Sequence, residues 1–297
     1  MLRRISGVLL LIVIGPIRNL AFLPQGERAD RDPMVRVNAT VFDRAGQPLV
    51  DLRQEDFTVL ELGRAQRIER FLSPRAPLRI IVLVDRSPSV AFGLPRALDA
   101  LLEFLLNLGP HDEVSVISFS SRVALESDFT LSVDRLREVL RQLEPTRDPT
   151  DRTKLYDAVA IALERLEEQA NARTALLLVT DGQDRGSTEA RRDETLWLAR
   201  RSFVTIYPIY VTERASSRNE YLEQLAATTG GELYRTDANL ERNLVELAKH
   251  LRFHYVLGYI SSNPPDPKRA HTIEVHLARA EVTVRATRSY RPFAKKP

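Results

Sequence analysis

The 297-residue chain is 43% hydrophobic and 28% charged, ordinary globular values that exclude wholesale disorder, collagen-like repeats and a multi-pass membrane protein. Its 43 basic and 40 acidic residues leave a net charge of +3 with no concentrated basic tract, so nucleic acid is not an expected partner. Cysteine is absent, which excludes disulfide frameworks, thiolate zinc sites and cysteine nucleophiles.

In chain order, Met1 to Arg4 carries two arginines, and the apolar run Ile5 to Ile17 (ISGVLLLIVIGPI) follows. At ~1.5 Å per residue that run falls short of the ~30 Å hydrocarbon layer, so it reads as the core of a secretory signal peptide rather than a full membrane span. No small-x-small cleavage pair follows it cleanly, which keeps an uncleaved membrane tether as the alternative. Residues 1–24 are therefore assigned to a leader or tether, and the product is expected to be exported: periplasmic, secreted or membrane-anchored.

From Val35 the pattern alternates: VRVNATVF, a turn at Asp43 to Gly46, QPLVDL, DFTVLEL and QRIERFL read as four short strands over a β segment at 34–76. At Leu78 the period changes. LRIIVLVD (Leu78 to Asp85) is a continuous apolar run ending in an acid, as expected of a strand buried on both faces of a parallel sheet. Helix LPRALDALLEFLLNL, strand EVSVISF, edge strand RVALES, helices VDRLREVLRQL and TKLYDAVAIALERLEEQA, and strand TALLLVTD follow. After them come a helix from about Glu189, strand FVTIYPIYV, helix NEYLEQLAATT ending at Gly230-Gly231, short strand ELYR and helix LERNLVELAKHL.

Strands alternating with helices of this length predict βαβ units. After Arg252 alternation returns in FHYVLGYI, HTIEVHLA and EVTVRATRSY. The expected fold class is α/β: a doubly wound, mostly parallel sheet over 77–251, inserted in or flanked by a small antiparallel β-sandwich in which 252–293 packs with 34–76.

Ligands of parallel α/β sheets sit beyond the carboxyl ends of the strands. Two apolar strands end there in acids, giving Asp85-Arg86-Ser87-Pro88-Ser89 and Thr180-Asp181-Gly182, and Thr153 opens the helix between them. Singly, Asp, Ser and Thr at such places are common helix caps or turn residues. Together they make two carboxylates and three hydroxyls with no His or Cys, a hard oxygen set suited to Mg²⁺, with Mn²⁺ as a further candidate. In an extended loop, side chains two apart point the same way, so Asp85, Ser87 and Ser89 are expected to converge.

The D-x-S-x-S of Asp85 to Ser89, with Thr153 in TKLYDA and Asp181 in LLLVTDGQD, resembles the metal-ion-dependent adhesion site of von Willebrand factor type A domains, over about Leu78 to Leu251. The resemblance implies a Rossmann-like fold, Ser87, Ser89 and Thr153 as direct or near-direct Mg²⁺ ligands, and Asp85 and Asp181 bound directly or through water. It also implies a non-enzymatic module that binds an acidic side chain of a protein partner at the open metal position. Arg86 and Pro88 are unusual at the variable positions and bear on the loop's geometry. The flanks, RVNATVFDRAGQPLVDLRQEDFTVLE before and YVLGYI with VRATRSYRP after, resemble the related proteins of acidobacteria, which are typically exported.

Two alternatives follow from the same residues. One is a structural component of a cell-envelope assembly with a non-essential metal site. The other is a Mg²⁺-dependent phosphohydrolase, disfavoured because Ser87 stands where such enzymes need a second carboxylate and no phosphate-cradling glycine loop appears. Asp157, one turn into the helix after Thr153, is read as holding Thr153 or a metal-bound water, or equally as a partner for backbone amides or an Arg. Asp184 and Ser187 read as solvated loop residues, Trp197 as core, and the five histidines lack zinc-hydrolase spacing.

Overall fold

A computed structural model describes residues 18–19, 34–169, 171–212, 217–264, 266, 269–279, 281–290 and 292; the apolar run Ile5 to Ile17 lies outside them. In chain order the strands and helices are β1 (Arg18–Asn19), β2 (Met34–Phe42), β3 (Phe57–Glu61), β4 (Arg64–Gln66), β5 (Ile68–Leu72), β6 (Leu78–Asp85), α1 (Leu94–Leu106), β7 (Glu113–Phe119), β8 (Val123–Thr130), α2 (Val133–Gln142), α3 (Leu155–Glu167) and β9 (Arg173–Thr180). They continue as α4 (Arg192–Arg201), β10 (Val204–Tyr210), α5 (Glu220–Thr229), β11 (Tyr234–Arg235), α6 (Leu240–Phe253), β12 (Tyr255–Ile260), β13 (His271–Leu277), β14 (Thr283–Ala286) and β15 (Ser289–Tyr290).

The α/β architecture expected from the sequence is the one observed. A seven-stranded sheet runs β1-β8-β7-β6-β9-β10-β11, parallel from β7 through β11 and antiparallel only at β8 and β1. Successive residues of a strand face opposite sides, and here both sides are covered, which is why β6 carries no polar alternation. Ile80, Val82 and Val84 pack under α1, α2 and α6, whereas Ile81 and Leu83 pack under α3, α4 and α5. The chain passes from β6 to β7 on one side and returns to β9 on the other, so the sheet's topological switch point lies between β6 and β9.

Two four-stranded antiparallel sheets, β14-β2-β12-β5 and β15-β13-β3-β4, are each built from strands on both sides of the α/β segment in sequence. Their facing residues, among them Val37, Val59, Tyr255, Leu257 and Ile273, form one core. Two expectations need correction. Gln47 to Leu52 is not a strand: Pro48, which has no N–H to give a ladder, makes a single bridge to Phe42, and the segment is then held by the Tyr255 hydroxyl, which donates to Leu49 O at 2.9 Å and accepts from Leu52 N at 3.1 Å. The segment EVTVRATRSY is two strands. At Thr287, which exchanges backbone and side-chain bonds with Asn38, the chain leaves β14 and crosses to pair with β13 in the other sheet.

The sandwich meets the α/β unit at the amino ends of the parallel strands. Arg173, opening β9, donates to Pro74 O and Ala76 O at 3.0 Å each and to Leu251 O, and Arg36 of β2 donates to Thr174 O and Phe203 O.

Candidate metal centre

Asp85 ends β6 at the switch point and is fully buried. Its Oδ1 accepts the Ser87 N–H at 2.8 Å and its Oδ2 accepts the Thr180 hydroxyl at 2.7 Å. Thr180 is the last residue of β9, so the bond spans the two strands and sets Asp181, the next residue, beside Asp85. Burial pushes the Asp85 carboxyl up to about 6; the bonds from Ser87 and Thr180 oppose this, and the charge of Asp181 reinforces it. Among the described residues neither aspartate has an ion-pair partner.

Asp181 is itself nearly buried and accepts from Gln183, through the backbone N–H at 3.0 Å and Nε2 at 3.1 Å. Gly182 then takes φ +73°, and a Cβ there would fall 2.1 Å from Asn219 Nδ2. Only glycine suits this position. Asn219 donates from Nδ2 to the carbonyls of Asp181 and Gly182 at 3.3 Å, while its Oδ1 caps α5 at Leu222 N. The sequence reading missed Asn219; its one signal was an asparagine just before a helical pattern.

After Asp85 the loop is not extended. Ser87 has extended φ and ψ, and Pro88 to Val90 then form a 3-10 turn with Pro88 at its first position, where a fixed φ and a missing N–H cost nothing. The turn still brings the hydroxyls of Ser87 and Ser89 to 3.1 Å from each other. Arg86 is an anchor. Its N–H binds Phe119 O, its carbonyl accepts from Thr146, Nε donates to Glu144 O at 2.7 Å, and the guanidinium lies 3.6 Å from Glu126.

Thr153 is 3% exposed and precedes α3. Its carbonyl accepts the N–H groups of Arg185 and Gly186 at 2.9 and 3.0 Å, tying it to the loop that carries Asp181. Among the described residues its hydroxyl makes no hydrogen bond to Ser87, Ser89 or Asp181. The same loop caps α3 from outside, since Asp184 Oδ1 accepts from Tyr156 N at 3.3 Å and Ser187 Oγ accepts from Asp157 N at 3.1 Å. These two, expected to be solvated loop residues, are therefore caps. Asp157 is buried and accepts the amides of Thr188, Glu189 and Ala190 at 3.1, 3.0 and 2.8 Å. Of the roles open to it from sequence, the backbone-amide partner is the one found, and α4 begins at Arg192, not near Glu189.

The structure thus links Asp85, Ser87 and Ser89 at the carboxyl end of β6, sets Asp181 near enough for its charge to act on Asp85, and fastens Thr153 to the Asp181 loop. Two buried like charges with no cation beside them, next to paired hydroxyls, form a donor set that a hard divalent ion fits. Among the described residues, no group of three or more His, Cys, Asp or Glu is arranged to hold a metal, so any metal at this edge depends on the hydroxyls.

Residues 80–183 match the family model of the von Willebrand factor type A domain, a span that contains all five residues. No curated protein matches the chain in sequence. Among solved structures, the conserved hypothetical protein BatB from Bacteroides thetaiotaomicron is similar at 16% identity and TM-score 0.47, over 58% of this chain and 98% of that one. The vWF domain of the type V pili tip protein Mfa5 from Porphyromonas gingivalis is similar at 13% identity and TM-score 0.49, over 59% and 94%. Proximal thread matrix protein 1 from the mussel byssus, solved with a zinc-occupied MIDAS motif, is similar at 13% identity and TM-score 0.47, over 63% and 48%.

Proposed function

We propose that this chain is an exported, non-enzymatic protein-binding module of the adhesion type. In this reading Asp85, Ser87, Ser89, Thr153 and Asp181 hold Mg²⁺, or Mn²⁺ in its place, and a carboxylate side chain of a protein partner takes the remaining position. The reading is carried by one observation: Asp85 and Asp181 are buried and near each other, with no ion-pair partner among the described residues, at the loop that carries the hydroxyl pair of Ser87 and Ser89. Domains of the matched family are often protein-interaction modules.

The bound ion would supply a positively charged vertex for an incoming carboxylate. The residues of this chain do the rest. Ser87, Ser89 and Thr153 offer neutral oxygens, which leave the ion's charge largely uncancelled toward an outside anion. Asp85 is oriented by Thr180 and by the Ser87 amide. Arg86 holds the serine loop against Phe119 and Glu144, so the loop's shape is set before a partner arrives. The five histidines (111, 250, 254, 271 and 276) all lie outside these loops, so no imidazole stands there as a general base. Export rests on the run Ile5 to Ile17; among the described residues no helix is long and apolar enough to cross a membrane.

The second reading, a cell-envelope assembly component, draws on the junction in which Arg36 and Arg173 fasten the two units together. Calorimetric titration with Mg²⁺ and Mn²⁺, followed by capture from an envelope extract with and without chelator, separates the two. The adhesion reading requires metal binding that Asp85→Ala abolishes and partner capture that chelator abolishes. Capture indifferent to both supports the assembly role.

A further inference from the structure

Of the five residues of the candidate metal centre, one is exposed. Asp85, Ser87, Thr153 and Asp181 are buried, and Ser89 alone is exposed, so the site opens to solvent at Ser89. Immediately beyond it the turn presents Ala91 and Phe92, both exposed, with Phe92 at 50%. The other large exposed apolar side chains among the described residues lie elsewhere: Leu62 and Ile260 on the sandwich, Leu106 at the end of α1 and Leu131 just before α2.

Phe92 is held outward by its neighbours. Val90 and Leu94 on either side are fully buried in the core under α1. Gly93 packs so closely that a Cβ would lie 2.7 Å from the Val211 side chain. A phenyl ring fixed in solvent beside an anion site is surface that a partner can cover. Arg152, exposed and without an ion pair among the described residues, adds a positive charge immediately before Thr153.

We infer that the partner of this site is an extended protein segment with an acidic residue two positions from a large apolar one. The carboxylate goes to the metal position at Ser89 and the apolar side chain lies on Phe92; the inference rests on the metal-dependent reading above. The spacing follows from backbone geometry. The i→i+3 bonding of the 3-10 turn continues past Val90, since Gly93 N–H donates to Val90 O at 3.1 Å, and at about 2 Å per residue this sets Phe92 about 6 Å from Ser89 along the turn. In an extended segment, side chains on one face recur every second residue, about 6.6 Å apart. Adjacent acid and apolar residues would face opposite ways, and only the two-residue spacing reaches both.

The test uses the full chain in Mn²⁺ and immobilised, end-capped peptides. Gly-Gly-Asp-Gly-Phe-Gly-Gly is expected to bind about tenfold more tightly than the same peptide with Ala for Phe, the factor for roughly 50 Å² of apolar surface removed from water. It should exceed Gly-Gly-Asp-Phe-Gly-Gly-Gly by a similar factor. The preference should vanish in Phe92→Ser and return in Phe92→Leu, with Mn²⁺ affinity unchanged in both. Equal binding of all three peptides by a metal-loaded chain, or no binding of any, overturns the inference while the metal site stands. Failure of the chain to bind Mn²⁺ overturns the metal-dependent reading, and this inference with it.

Discussion

The hydroxyl of Thr180 donates to Asp85 Oδ2 at 2.7 Å, joining the carboxyl ends of β9 and β6 across the switch point of the sheet. That bond aims Asp85 and fixes the backbone from which Asp181 departs, so residues nearly a hundred positions apart in sequence act on one crevice.

Asp85→Asn keeps the shape of the side chain and removes one of two buried like charges. The metal-free variant is expected to melt at the same temperature as the parent or higher. The stabilisation that Mg²⁺ gives the parent, about 2.7 kcal/mol at a hundredfold excess over Kd and read as a rise in melting temperature, should be absent. Thermal melts with and without 5 mM-range Mg²⁺ (order of magnitude, set by the excess over Kd) check both halves, and a variant less stable without metal would contradict the account of the crevice.

Asp157→Ala leaves the amides of Thr188, Glu189 and Ala190 without an acceptor. The expected loss is about 3 kcal/mol of unfolding free energy in urea, with faster hydrogen exchange at those three amides. Unchanged exchange there would show that the loop does not depend on the carboxylate.

Burial holds the His254 imidazole well below its usual pKa of 6.5, and Arg173, Arg36 and the stacked His250 add to the effect. Among the described residues its Nδ1 has no hydrogen-bond partner. A His with a lowered folded pKa contributes stability that is present above the unfolded value and lost as pH falls below about 6.5. Asp85, raised to about 6, has the opposite sign: its contribution is present below 3.8 and lost as pH rises toward 6. Melting temperature followed from pH 7 to 5 (a window about the His pKa) should therefore fall more steeply in Asp85→Asn than in the parent, and His254→Leu should flatten the curve.

Glu61 of β3 is fully buried and accepts from Ser261 Oγ at 2.7 Å, Tyr290 OH at 2.8 Å and His271, so it clips both sheets and the last strand together. Burial pushes its carboxyl up, but the bonds from His271, Ser261 and Tyr290 hold it below the usual value of 4.5, so its contribution is lost only as pH falls through that lowered value. Glu61→Ala should destabilise the protein by about 3–5 kcal/mol in urea, because the remaining polar groups are stranded. A loss under about 1 kcal/mol would mean the cluster relaxes into water.

Much of this was legible because burial writes itself into strands. LRIIVLVD and TALLLVTD are apolar without alternation, which fixes them as central strands, and an acid ending such a strand has to sit at the ligand-binding edge. Asp85, Ser87, Ser89 and Asp181 followed from that edge, Thr153 from the helix start between the two strands, and their roles as metal ligands from the resemblance. What stayed hidden were long-range bonds made by ordinary residues: Thr180 reads as one more β-branched strand residue, Asn219 as a simple cap, and Arg86 as a charge in a loop. Gln47 to Leu52 alternates like a strand, but the Tyr255 hydroxyl, some 200 positions later, claims its backbone. The break at Thr287 has no local signal either, since only the competition between two sheets decides where the chain crosses.

The most direct measurement of the central claim is a crystal of the full chain grown in Mn²⁺, with anomalous scattering used to locate the ion. The account predicts one strong peak at the carboxyl edge of β6 and β9, within coordination distance of the Ser87 and Ser89 hydroxyls, with Thr153 and Asp181 in its direct or water-mediated shell. A crevice without manganese, with Asp85 protonated against Asp181, would contradict it.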